Sequence, residues 1–140
     1  MVRIKYILLF VVSVMFMSGV ACGESAPAAT PTPVVVIDAN LRNMLNLFES
    51  NKVAAEATYK GKWVEFSGRI SEIKEDKFDL IPMDSDEFQM SGAECKLIKG
   101  QQSAIIELRA DDRVTVTGKV KDIGGWLTTK VKLDNCQIVN

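Results

Sequence analysis

Two ten-residue segments of this chain are near copies of each other. Val64–Ile73 reads VEFSGRISEI, and Val114–Ile123, fifty residues further on, reads VTVTGKVKDI. Both run apolar, polar, apolar, hydroxyl, glycine, basic, apolar, variable, acidic, isoleucine. A period of two is that of strands with one face buried. A glycine at the same place in each predicts a bulge or a sharp bend. Two long strands, each bent at a glycine, are what a small closed barrel needs at its corners.

The remaining elements fit around this pair. Turns are expected at Lys74–Lys77 and Gly124-Gly125, further strands at Phe78–Pro82 and Ala93–Ile98, and one or two helical turns within Ser103–Ala110. The last strand falls in Trp126–Val139, where Thr129, Val131 and Leu133 alternate before Cys136 and Ile138. Ahead of the first repeat, Asp38 is expected to cap a helix, since a carboxylate suits an N-terminus. Leu41, Leu45 and Phe48 then mark one helical face that packs on the barrel. Ser50-Asn51 breaks and recaps the helix, Val53–Ala57 has high helical propensity, and Tyr59–Lys62 makes a turn. Three strands, a short helix and two strands give a mainly β fold. The expected architecture is a five-stranded Greek-key OB-fold barrel with an N-terminal helical segment.

The first 21 residues have a different character. Arg3 and Lys5 precede the apolar core Ile7–Met17, and small residues follow at Ser18, Gly19 and Ala21 before Cys22. This is the layout of an export signal. Ile7–Ala21 is shorter than the roughly 20 apolar residues that a spanning helix needs. Gly19-Val20-Ala21-Cys22 resembles the bacterial lipobox, which implies lipid on Cys22 and cleavage just before it. Gly19 departs from the large aliphatic usual there, so ordinary secretion remains an alternative, as does retention by an N-terminal transmembrane helix. Gly23–Pro33 is rich in Ala, Pro and Thr with no large apolar side chain, and is expected to stay extended. The expected organisation is a lipoprotein-type signal peptide over 1–21, anchor cysteine and Pro/Ala-rich linker over 22–37, and the OB-fold domain over 38–140.

Composition narrows the chemistry. The 140 residues allow one domain, and there is no histidine. That removes His-based metal sites, Ser-His-Asp and Cys-His catalysis, and the commonest general base. Beyond residue 21 there remain 15 basic against 18 acidic residues, a net charge of −3, which excludes a strongly basic nucleic-acid binder.

Leu41 to Asn140 resembles the tRNA-anti-like OB-fold family of bacterial lipoproteins. The resemblance rests on Ala39-Asn40-Leu41, Asn51, Ala54-Ala55, Tyr59-Lys60-Gly61-Lys62, Val64, Ser67-Gly68, Cys95, Val114-Thr115-Val116, Gly118 and Leu133–Val139. Ala110-Asp111-Asp112 departs from it, since a Gly-Asp turn is usual there. The resemblance implies the OB-fold; the family's name records a likeness in fold and establishes no activity.

With Cys22 lipidated, Cys95 and Cys136 are an even pair in an exported protein. In the OB-fold order they sit in the neighbouring third and fifth strands. A disulfide there would contribute roughly 2–4 kcal/mol; two buried thiols are the alternative. Two cysteines without histidine do not make a zinc shell. Asp84, Asp86 and Glu87 offer oxygen ligands but lack the spacing of a calcium loop, so a solvated turn is expected. Lys60, Lys62, Arg69, Lys119 and Lys121 are interrupted by Glu65, Glu72 and Asp122, which reads as a mixed solvated face. A possible binding face is drawn from Trp63, Arg69, Lys119 and Trp126, with the tryptophans as stacking platforms or rim packing.

The resulting expectation is an extracytoplasmic OB-fold binding module without catalytic activity, held at the cell envelope through lipid on Cys22. It needs no cofactor or metal. Its partner is the membrane together with an envelope protein, peptide, glycan or small ligand, and no nucleic acid is expected. Two alternatives are a single-stranded nucleic-acid binder, which would need a basic groove with stacked aromatics, and an enzyme. The anchoring expectation is checked by fractionation: Cys22→Ser should release the protein from membranes or leave its signal uncut, whereas normal processing with membrane retention would refute it.

Overall fold

In the computed structural model, residues 33–86 and 89–139 are described. The signal sequence, Cys22, the linker through residue 32, and Glu87 lie outside them. The described elements run β1 (Val36–Asp38), α1 (Leu41–Ser50), α2 (Lys52–Tyr59), β2 (Trp63–Ile73), β3 (Lys77–Ile81), β4 (Gly92–Leu97), α3 (Ser103–Ile106), β5 (Arg113–Gly124) and β6 (Lys130–Val139).

Strand order is β1-β2-β3-β4-β6-β5, with β5 also pairing with β2. The five strands β2 to β6 therefore close into a barrel. Within the barrel, neighbours are antiparallel except β4–β6, which is parallel. This is the expected OB-fold. Alternate residues point inward, so Val64, Phe66 and Ile70 of β2 meet Phe78, Leu80, Val116 and Leu133 in one buried core.

The two near-copies are adjacent antiparallel strands. Their register pairs Val64 with Gly118, Phe66 with Val116 and Gly68 with Val114. A local two-fold axis thus passes through the Phe66–Val116 rung, and each glycine faces the other copy's valine. Both glycines are buried. A methyl on Gly68 would lie 3.1 Å from the Ile81 carbonyl and 3.2 Å from the Leu80 Cβ. One on Gly118 would lie 3.1 Å from the Leu133 Cβ and 3.4 Å from the Cys136 Sγ. Room is therefore what glycine supplies at both places. The expected bend falls at Gly118, where the β5–β6 register shifts between Thr117 and Lys119. In β2 the irregularity lies between Ile70 and Glu72, beyond Gly68.

β6 carries a further break of period. Val131 and Leu133 are buried, then Cys136 rather than residue 135. Asn135 takes a left-handed φ of 53°, which an Asn tolerates better than most residues. The slip turns Cys136 inward to its disulfide with Cys95, with Cα atoms 5.6 Å apart. Asp111 is also left-handed, with φ 71°. It stands at the Ala110-Asp111-Asp112 departure, so an aspartate occupies a conformation that glycine favours.

Before the barrel, the structure corrects one expectation. Asp38 does not cap α1; it ends β1, which runs parallel to β2 with Asp38 opposite Glu65. The Ala39 N–H donates to the Glu65 carbonyl at 2.8 Å and keeps the chain extended through that point. The cap is Asn40, whose side-chain oxygen accepts from the Asn43 N–H at 3.1 Å. Val36 and Ile37, expected in the linker, thereby belong to a strand. Asn51 does break and recap: its N–H donates to the Leu47 carbonyl, and its side chain accepts from the Ala54 N–H. Leu41, Met44 and Leu45 are buried, with Phe48 packed at their edge.

Gly68→Val and Gly118→Val should each cost more than about 1 kcal/mol, because the surrounding core must give way. Thermal or urea unfolding checks this, and unchanged midpoints would contradict the close packing.

Candidate functional site

Two outer faces carry the polar side chains of the barrel. The first is the β2–β5 face. Trp63 and Lys119 are register partners at one end, and Arg69 and Arg113 at the other. Between them the Thr117 hydroxyl donates to Glu65 at 2.9 Å, and the hydroxyls of Ser67 and Thr115 lie 2.7 Å apart. The structure thus brings Trp63 and Lys119 together and separates them from Arg69 by the length of the ladder. Arg69 turns to the β3–β4 loop, donating to the Ser85 carbonyl at 2.8 Å. Trp126 lies on neither strand but in the loop joining β5 to β6. Two of the basic residues of this region are matched by acids: Lys60 with Asp122 at 3.3 Å and Lys121 with Asp134 at 3.5 Å.

The second face is formed by β3, β4 and the start of β6, with the β2–β3 and β5–β6 loops at its margins. In an OB-fold this is the surface that takes oligomeric ligands. Its centre is Asp79, the outward residue between Phe78 and Leu80, yet only 5% exposed. Its Oδ2 accepts from Lys130 at 2.6 Å and from Lys74 at 3.3 Å. Lys74 also reaches Glu72 at 2.8 Å, Lys77 reaches Glu94 at 2.8 Å, and Lys96 stands 4.0 Å from Asp76. Hydrogen bonding to Glu94 holds the Lys77 ammonium above its ordinary value, and bonding to Glu72 does the same for Lys74. Lysines so engaged are committed to carboxylates on their own surface. Two shallow depressions lie here. One of about 300 Å³ is lined by Lys77, Glu94, Lys96, Lys132 and Asp134, and one of about 430 Å³ by Asp79, Lys130, Met90 and Gln89.

A family model described as tRNA_anti-like matches residues 1–137. The chain belongs to the tRNA_anti-like family. Among solved structures, a Klebsiella pneumoniae protein named as a candidate nucleic acid-binding lipoprotein aligns with a TM-score of 0.58. It is 16% identical, and the match covers 76% of this chain and 92% of that one. At that identity the likeness shows the fold alone. No curated protein matches the chain.

This tRNA_anti-like domain presents a β3–β4–β6 face on which Lys74, Lys77 and Lys130 are each paired with a carboxylate. That lattice escaped sequence reasoning. Its one signal was the lone carboxylate of Asp79 between apolar residues of a strand. The Asp84-Asp86-Glu87 turn has a structural use in its described part: Asp84 pairs with Arg42 of α1 at 2.7 Å, and that bond holds its carboxyl below the usual range.

The lattice has a pH signature. A lysine whose pKa is raised by folding contributes stability that is present below its unfolded pKa and is lost as pH rises through the folded value. For Lys77 that window opens above its ordinary 10.5. Glu94→Gln should bring the Lys77 titration, followed by NMR at its Cε–H₂ group, back toward that ordinary value. An unmoved titration would contradict the pairing.

Proposed function

We propose that this chain is a membrane-anchored, extracytoplasmic binding module without catalytic activity, which takes a protein or peptide on its β3–β4–β6 face. The observation that carries this reading is the Asp79–Lys74–Lys130 cluster with its flanking Lys77–Glu94 pair. Charge of both signs, fixed at known spacing, selects a partner by complementarity and penalises like-charged misalignment. A small ligand would find shallow, open depressions where enclosed apolar pockets are the rule. Anchoring rests on the lipobox-like Gly19–Cys22 and the linker after it. The fold shared with a protein named as a lipoprotein agrees with it. Among the described residues, no helix is long and apolar enough to cross a membrane.

A second reading is single-stranded nucleic-acid binding. The name of the Klebsiella protein suggests it, and the Trp63–Lys119 rung is the feature of this chain that favours it. Physical chemistry weighs against it. Phosphate binding is driven by counterion release as Lys and Arg neutralise the backbone. Here Lys74, Lys77 and Lys130 already hold carboxylates, and Phe78, the aromatic of β3, is buried in the core.

Fluorescence anisotropy at physiological salt separates the two readings. Single-stranded DNA and tRNA are expected to bind no tighter than the non-specific range of about 10⁻⁴ M. Micromolar binding that Trp63→Ala weakens would establish the second reading instead. For the first, capture of an envelope partner should be lost on Lys77→Glu; capture unaffected by reversing that charge would remove the face from the function.

A further inference from the structure

Trp126 is 95% exposed and Leu127 84% exposed, yet the loop that carries them is closed at its base by the Gly124–Lys130 rung and tied down at Thr129. The Gly92 N–H donates to the Thr129 carbonyl at 3.0 Å, and the Thr129 N–H to the Ser91 hydroxyl at 3.3 Å. A side chain at Gly125 would overlap the Thr128 carbonyl, so the turn is closed against itself. A fixed loop that displays a tryptophan with almost no intramolecular cover calls for a partner, because large apolar groups presented together mark interaction sites.

Strand direction shows where this loop sits. β1, β2, β4 and β6 all begin at the same end of the barrel, and β3 and β5 end there. The β5–β6 loop, the β3–β4 loop with exposed Met90, and the entry of the chain at Val34–Val36 therefore share one end. Those three valines are exposed as well. No ionisable residue lies between Asp122 and Lys130, so the apex of the loop is charge-free.

From this we infer that the end carrying Trp126 and Leu127 docks on the lipid bilayer. The inference rests on the anchoring reading given above. The eleven residues of Gly23–Pro33 reach at most about 35 Å when extended, so lipid on Cys22 keeps the entry end of the domain close to the membrane surface. Tryptophan is favoured at the headgroup level, where its ring is buried and its N–H stays hydrated. A charge-free apex with one aromatic and one aliphatic residue avoids the cost of taking charge into that layer. The loop supplies a second membrane contact beside the lipid, and it fixes which end of the domain faces the bilayer. The part of the β3–β4–β6 face around Lys77, Glu94 and Lys96 lies toward the opposite end of the barrel and stays open to a partner.

The test uses the full chain, processed and lipidated, in vesicles of phosphatidylethanolamine and phosphatidylglycerol with brominated acyl chains. Trp63→Phe leaves Trp126 as the sole tryptophan; the difference between wild type and Trp126→Phe gives the same signal without altering Trp63. Trp126 emission should shift to the blue and be quenched by the brominated lipid, and Leu127→Ser should weaken the quenching while the protein still floats with the vesicles. Flotation with Trp126 unquenched by lipid but open to aqueous iodide overturns the docking and leaves the anchoring intact. Failure to float overturns both. A blue shift that appears only after a second protein is added assigns the loop to that protein and also overturns the docking.

Discussion

Seven rungs, from Trp63–Lys119 to Arg69–Arg113, join β2 to β5 and turn an open sheet into a barrel. Without them β2 and β5 would each leave a row of unpaired backbone groups at an edge. The core would lose its containment on that side as well. Closure requires that the inner surface narrow where the two strands meet, and the two glycines answer that need. Each faces a valine across the rung, so bulk and space alternate along the seam. Leu80 from β3 and Leu133 from β6 occupy the volume left free. The disulfide secures a different junction, the parallel β4–β6 pair, whose strands cannot be joined by a tight hairpin.

The polar exterior follows from the same closure. Because β3, β4 and β6 lie side by side, residues from distant parts of the sequence share one surface. Asp79 meets Lys130, 51 residues away, and Lys77 meets Glu94, 17 residues away. Burying the Asp79 carboxylate is tolerable because two ammonium groups compensate it; a buried charge lacking such partners would be strongly destabilising. Outer pairs such as Lys96–Asp76 are exposed and contribute little to stability. They shape the surface potential more than they hold the fold.

Strands were legible in the sequence because burial of one face writes a period of two. The helix break at Asn51 was legible because an amide side chain both ends one helix and caps the next. Asp38 misled because the sequence shows a good cap without showing that Val36 and Ile37 have a strand to pair with; that partner, β2, lies 27 residues on by register. The inward turn of Cys136 depends on Asn135 adopting a left-handed backbone, which alternation cannot reveal, although the missing apolar residue at 135 is its trace. Of the candidate site, Trp63 and Lys119 were legible as residues of the two repeated strands, but their pairing depends on the antiparallel register of the two copies. The Asp79 cluster was illegible because nothing local connects residues 74, 79 and 130; only the parallel crossing of β4 and β6 brings Lys130 to β3.

The local two-fold between β2 and β5 bears on what happens when two unfolded chains meet. Val64, Phe66 and Gly68 match Gly118, Val116 and Val114 in antiparallel register, and by the same symmetry they match a second copy of themselves, with Phe66 opposite Phe66 and Gly68 opposite Val64. The chain therefore encodes its own mispairing partner. Strands with this property are a hazard for intermolecular association while their edges are open. In the finished barrel β2 is flanked by β5 on one side and by β1 and β3 on the other, so no length of the self-matching segment from Trp63 to Arg69 is left bare beyond Phe66–Gly68. β1, which consists of three residues ahead of the barrel proper, acts in this respect as a strand guard against self-association.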